Sequence, residues 1–212
     1  MKLKEPVTAI TDHLLGIELL FFSVLLFLKS GPHLSVQLWA AAFLVLGIAA
    51  FAGGIFHGNR VWFDASGLAR LQASIVAAVA FSVALMLSAG IVSSFGGTVR
   101  LLLLGLEMVL LPWMAPALIR KYGGALLVDP SLKSIAASFA ILSVFLTYQI
   151  VSNGPHAGNW ILAGGLVVLI AAATQQTKIR MHRHLNHNDF CHLILMGAMY
   201  LLYRGGLLLR DH

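Results

Sequence analysis

The chain has 212 residues, of which 59% are hydrophobic and only 10% are charged, and its mean hydropathy is +0.88. That balance excludes an ordinary soluble domain and points to an integral membrane protein. The net charge of +6 and a pI near 9.8 come with no basic domain, so nucleic acid is not an expected partner. The cations suit topology and attraction to anionic lipid.

A hydrocarbon core of about 30 Å calls for about 20 apolar residues per helix, and the chain offers seven such segments in one transmembrane domain, 1–212. The first, 12–29, follows Lys2, Lys4 and Glu5; it is long, has no small-residue cleavage site after it, and reads as a mature span rather than a leader. Ser30-Gly31-Pro32 stops it, and the second, 36–57, ends at His57-Gly58-Asn59-Arg60. Asp64 and Ser66 offer an N-cap to the third, 67–95. The fourth, 98–120, carries Pro112 and Pro116, which predict a kink. Asp129-Pro130-Ser131 opens the fifth, 132–152, and Gly154-Pro155 separates it from the sixth, 159–176. The seventh, 187–209, begins in the run Asn186-His187-Asn188-Asp189-Phe190-Cys191-His192.

Seven spans put the N-terminus and the even-numbered loops on one side, with Lys2, Lys4, Arg60, Arg70, Arg120, Lys121, Lys133, Lys178, Arg180 and Arg183. Lys29, Arg100, Arg204 and Arg210 fall on the other. This asymmetry predicts a cytoplasmic N-terminus. Trp39, Trp62, Trp113 and Trp160 lie mostly near span ends and suit an interfacial belt.

The same threading gathers polar residues at the cytoplasmic face. Asp12 and His13 open the first span, His57 closes the second, Asp64 precedes the third, and Asn188, Asp189 and His192 open the last. Asp189 and His192, at i and i+3, share a helix face. With His57 they would make a metal site, and a catalytic zinc takes three protein ligands and a water that it acidifies towards neutrality. Asp12 or Asp64 would act as general base or partner, His13 would orient the site, and Asn188 and His187 are alternative donors. The single Cys191 provides neither an internal disulfide nor a thiolate box. Two carboxylates, Glu18 and Glu107, fall inside spans, where a charge is costly unless paired or protonated.

Each residue also has a purely structural reading. Asn186 and Asp189 fit a capping box, Thr11 or Asp12 would cap the first helix, and His57 would rest at the interface. Gln149, Tyr148, Gln175 and Gln176 suit interhelical hydrogen bonds. Gly53-Gly54 and Gly164-Gly165 would let helices approach closely.

Seven spans, a histidine ending the second and histidines opening the seventh resemble the CREST superfamily of membrane hydrolases, which includes the alkaline ceramidases, the adiponectin/progestin receptors and the hemolysin III-like proteins. The resemblance implies zinc held by a histidine on the second span, matched by His57, and by an H-x-x-x-H pair on the seventh, whose second member is His192. The first member is Asn188 here, so the third ligand falls to Asp189, His187 or Asp12. The family's serine four residues before the second-span histidine is Gly53, and its third-span acid has Asp64 as its counterpart. The implied function is hydrolysis of a lipid amide or ester by a metal-activated water. A lipid-binding receptor-like or scaffold protein, and a proton-linked transporter using Glu18 and Glu107, are the alternatives.

Overall fold

The computed structural model describes residues 5–58, 62–122, 144, 156–177 and 186–212, without the side chains of 110–122. Among these residues the protein is all helical. It comprises α1 (Pro6–Lys29), α2 (Leu34–Gly58), α3 (Ala65–Ser94), α4 (Gly97–Tyr122), α5 (His156–Thr177) and α6 (His187–Gly206). Four of these, α1, α2, α3 and α5, are long and apolar enough to cross a membrane, as an integral membrane protein requires. Apart from residue 144, the expected fifth segment, 132–152, lies outside the described residues, as do Tyr148 and Gln149.

Local chemistry explains most boundaries. Pro6 occupies the first turn of α1, where its missing N–H costs nothing. The helix therefore starts six residues before the predicted span. Thr11 and Asp12 lie inside it and cap nothing, because their side chains are engaged laterally with α6. Gly31, at φ +52°, turns the chain into α2. Asp64 caps α3, its Oδ1 accepting the Gly67 N–H at 2.7 Å, and Gly97, at φ +56°, turns α3 into α4. The α4 backbone stays helical through Pro112 and Pro116. Asn186 and Asp189 form the expected capping box at the start of α6.

Neighbours in sequence pack as antiparallel pairs, α1 on α2, α2 on α3, α3 on α4 and α5 on α6, and α6 returns to α1. The α1 and α6 helices run parallel: Thr8 meets Asp189, Thr11 meets His192, and the rings of Phe22 and Tyr203 stack 4.4 Å apart. All three contacts have the same sequence offset, so the two helices stay in register for four turns.

The core lies between these helices and centres on Trp39, Phe43, Leu19, Leu26, Met86 and Leu202. Trp39 departs from the interfacial expectation. It is fully buried, and its indole N–H donates to the Leu202 carbonyl at 3.1 Å, which satisfies the one polar atom the ring brings into the core. Trp62 is exposed, and Trp160 lies under the Arg204 guanidinium, 4.7 Å from its ring centre. Close approach of α5 and α6 depends on Gly164, where a Cβ would stand 2.7 Å from Leu202. The outer faces expose Ile10, Ile17, Phe21, Val24 and Leu28, as lipid contact demands.

Candidate functional site

On α1, Thr8, Thr11 and Asp12 occupy i, i+3 and i+4 and so form one polar stripe. The cap and first turns of α6 oppose it with Asn186, Asp189 and His192. All of Thr8, Thr11, Asp12 and Asp189 are buried, so each needs partners. Thr8 donates to Asp189 Oδ1 at 2.6 Å and accepts from the Asn186 amide at 3.1 Å. Asp189 Oδ2 accepts the Asn186 backbone N–H at 2.7 Å. Asp189 thus clasps α6 to α1 through Oδ1 and closes the capping box through Oδ2.

One turn further in, the Thr11 hydroxyl donates to the Thr8 carbonyl at 3.0 Å and lies 3.0 Å from His192 Nδ1. Its hydrogen being used, the threonine oxygen accepts from Nδ1–H, which assigns the tautomer and leaves Nε2 with a free lone pair. That Nε2 is 3.3 Å from Asp12 Oδ1. A lone pair facing a carboxyl oxygen is favourable only with a proton or a cation between them. The other oxygen, Asp12 Oδ2, is buried and has no hydrogen-bond partner.

Gly53 explains how Asp12 reaches this position. A Cβ there would stand 3.2 Å from both carboxylate oxygens, so the missing side chain on α2 is replaced by the Asp12 carboxylate from α1. His57, at the end of α2, donates from Nδ1 to Glu5 Oε2 at 2.7 Å. This contact fixes its ring and leaves Nε2 available.

Asp12, His57 and His192 line one cavity of about 380 Å³, walled by α1, α2, α3, α5 and α6. Gln72 and Gln175 share its polar end, and the rest is apolar, from Leu15 and Ala49 to Val83, Met86 and Met199. Gln175 donates to Asn188 Oδ1 at 2.7 Å, while its own Oε1 is buried and unpartnered. Cys191 also lines the cavity.

The structure therefore gathers only some of the expected site residues. Asp12, His57 and His192 share the cavity; Asp189 lies behind His192, in the clasp. Among the described residues no three His, Cys, Asp or Glu side chains stand close enough to hold a metal ion as they are. Asp64 is exposed at its cap, where the Gly67 N–H and the Ser66 hydroxyl hold its carboxyl below the usual range. His13 bonds the Ala9 carbonyl, packs edge-on to Phe51, and lines a separate apolar cleft with Pro6, Ile10 and Gly54. His187 Nδ1 is buried without a partner, as are one oxygen of Glu18 and one of Glu107. The other Glu107 oxygen accepts from Ser88 at 2.7 Å and joins α3 to α4. Sequence reasoning missed Glu5 behind His57, Gln72, and Thr8. The i, i+3, i+4 spacing of Thr8, Thr11 and Asp12 was the available signal.

An all-helical protein with membrane-length apolar helices and a polar-ended cavity between them is the class these features define. Residues 7–211 match the family of unknown function DUF6962, and the chain belongs to that family. No curated protein and no solved structure matches it.

Proposed function

We propose that this protein is an integral membrane hydrolase that cleaves a lipid amide or ester with the help of a zinc ion at the polar end of the cavity. One observation carries the reading: His57, His192 and Asp12, from three different helices, line a single apolar-walled cavity. The donor chemistry suits zinc. His192 presents Nε2 towards Asp12 Oδ1, His57 is held through Nδ1 by Glu5, and Asp12 Oδ1 would be the carboxylate donor, which leaves the orphaned Oδ2 free to take a proton. Asp12 thus takes the place first expected of Asp189. When bound, zinc would polarise the carbonyl and acidify water.

The remaining steps belong to the chain's own residues. The apolar wall seats the hydrocarbon and excludes bulk water. Asp12 Oδ2 accepts the proton of the attacking water as its oxygen bonds to the carbonyl carbon. The same proton passes to the departing nitrogen or oxygen as the scissile bond breaks.

The topology proposal is seven spans with the N-terminus in the cytoplasm of a bacterial inner membrane. Its support is directional. Pairing with α3 ends α4 beside the start of α1, whereas pairing with α6 starts α5 at the opposite end. A further span over 132–152, which is apolar enough to cross, would carry the chain from one end to the other. The lysine and arginine asymmetry supports the orientation, and the resemblance to the CREST superfamily supports the chemistry.

A second reading has its own observation. With no closed three-donor group among the described residues, a lipid-binding receptor-like or scaffold protein would keep the same cavity without hydrolysis. Metal content of purified wild type, Asp12→Ala, His57→Ala and His192→Ala, measured beside hydrolysis of lipid amides and esters, separates the two. About one zinc per chain, lost with activity in all three folded variants, is the expected result. Wild-type protein that is folded, free of zinc and inactive would overturn the hydrolase and favour the binding protein.

A further inference from the structure

We infer that the cavity accepts a single hydrocarbon chain whose head group donates hydrogen bonds, such as an amide N–H or a hydroxyl, in preference to a fatty carboxylate or a two-chain lipid. The inference rests on reading this cavity as the substrate-binding space and does not require zinc.

Shape sets the chain number. From His57 to Leu46 on α2, and from Gln72 to Met86 on α3, the lining runs roughly 16–21 Å along the helices at 1.5 Å per residue. About 380 Å³ spread over that length gives the girth of one extended chain, not of two side by side. The lining changes from Asp12, Gln72 and Gln175 at one end to Val83 and Met86 at the other, so the ligand has one orientation.

Polarity sets the head group. Two buried polar atoms at this end have no partner, Asp12 Oδ2 and Gln175 Oε1, and both are acceptors. The Gln175 amide is oriented by its donation to Asn188, so its oxygen cannot be exchanged for a donor without breaking that bond. A buried acceptor left unmatched is costly, and a ligand donor would remove the cost. A carboxylate brings only acceptors. Nor does the N-terminus of α6 welcome an anion, because the Asn186 side chain already takes the Asn188 and Asp189 N–H groups and the Asp189 carboxylate takes that of Asn186. The His57 Nδ1–H is likewise committed to Glu5.

The test is saturable binding of radiolabelled ligands to the full chain in phosphatidylcholine nanodiscs with chelator present. The probes are hexadecanamide, hexadecanol, palmitate and a dipalmitoyl glycerol. The amide and the alcohol should bind roughly tenfold or more tighter than palmitate, about the value of one or two matched hydrogen bonds, and the two-chain lipid should not saturate. Gln175→Leu should weaken the amide about tenfold and leave palmitate unchanged, and Ala172→Phe, on the α5 wall, should abolish saturable binding of every probe. Circular dichroism and thermal unfolding establish that each variant is folded. Palmitate or the two-chain lipid binding as tightly as the amide, or a folded Gln175→Leu without effect, would overturn the inference. Donor-selective binding in a protein that purifies without zinc would sink the hydrolase and leave this inference standing.

Discussion

Two aspartates close the two ends of the seam between the first hairpin and α6, and they are treated differently. At the far end, Asp211 accepts the backbone N–H groups of Leu34 and Ser35 at 2.6 and 2.9 Å and the Ser35 hydroxyl as well. Beside it, His212 donates its N–H to the Val92 carbonyl and accepts from Arg100. Both oxygens of Asp211 and the backbone of His212 are engaged within the protein. At the near end, Asp12 has one oxygen against the bare Nε2 of His192 and the other against nothing. Most buried polar groups in native proteins are satisfied, and of the unsatisfied ones among the described residues Asp12 and Gln175 line the cavity, so the satisfied carboxylate of Asp211 reads as structure and the unsatisfied one of Asp12, facing that space, as a site for something the chain does not supply.

Paired substitutions break this comparison most sharply. Asp12→Asn should abolish zinc binding and hydrolysis, a loss of about 100-fold or more given that even outer partners of a metal site are worth 10–100-fold, while thermal stability stays level or rises. Asp211→Asn should do the reverse, leaving activity intact. Zinc content, turnover and thermal unfolding of both proteins give the answer, and parallel losses in both would erase the distinction between the two ends.

The clasp behind the site comes next. Thr8→Val removes the hydroxyl that serves Asp189 and takes the Asn186 amide, leaving a buried carboxylate oxygen unmatched at a cost of about 1–3 kcal/mol. Thermal unfolding should register this loss, and Thr8→Ser should recover most of it. An unchanged midpoint in Thr8→Val would show that the clasp contributes no net stability.

Asp211 makes a smaller, pH-dependent contribution. Burial tends to raise its pKa, but the Ser35 hydroxyl and the Ser35 and Leu34 N–H groups outweigh that and hold the carboxyl below its usual range. A depressed folded pKa adds stability that is complete above the unfolded value of about 3.9 and is lost as the pH falls through the folded value. The unfolding midpoint of wild type should therefore drop towards that of Asp211→Asn below about pH 4, the gap at neutral pH being about 1–2 kcal/mol, as for a helix N-cap. A gap that persists undiminished at pH 2 would assign the effect to packing.

The helices were legible because apolar length and turn chemistry act locally. Asp64 before α3 and Asn186 with Asp189 before α6 were readable as caps from spacing alone, since a cap bonds residues two or three positions away. The residues that could be misread were those whose partners are distant. Asp12 resembles a cap in sequence, but its position depends on Gly53, forty-one residues on, and on His192. Trp39 resembles an interfacial tryptophan until the Leu202 carbonyl is placed beside it. Asp189 could be assigned to the cap or to a metal, and Thr8, whose spacing with Thr11 and Asp12 marks a helix face but not what that face meets, decides for the cap. Periodicity fixes which residues share a face of one helix; it does not fix which faces of α1 and α6 meet, or with what register.

Gly53 provides the finest test, because two small side chains at one position separate volume from hydrogen bonding. Gly53→Ala places a Cβ 3.2 Å from both Asp12 oxygens, a contact that forces a shift of a few tenths of an ångström and should cost about 1–3 kcal/mol as overpacking. Gly53→Ser adds the same Cβ with a hydroxyl that can donate to the orphaned Oδ2, and a net hydrogen bond returns about 0.5–1.5 kcal/mol. The serine variant should therefore be more stable than the alanine variant by about 1 kcal/mol. If Asp12 must present that oxygen to the attacking water or to a donor head group, the same hydroxyl should lower turnover and amide binding despite the gain in stability. A serine variant no more stable than alanine would mean that Oδ2 already has a partner in the membrane-embedded protein. A more stable serine variant with full ligand binding would confine the site to the other oxygen, the one that faces His192.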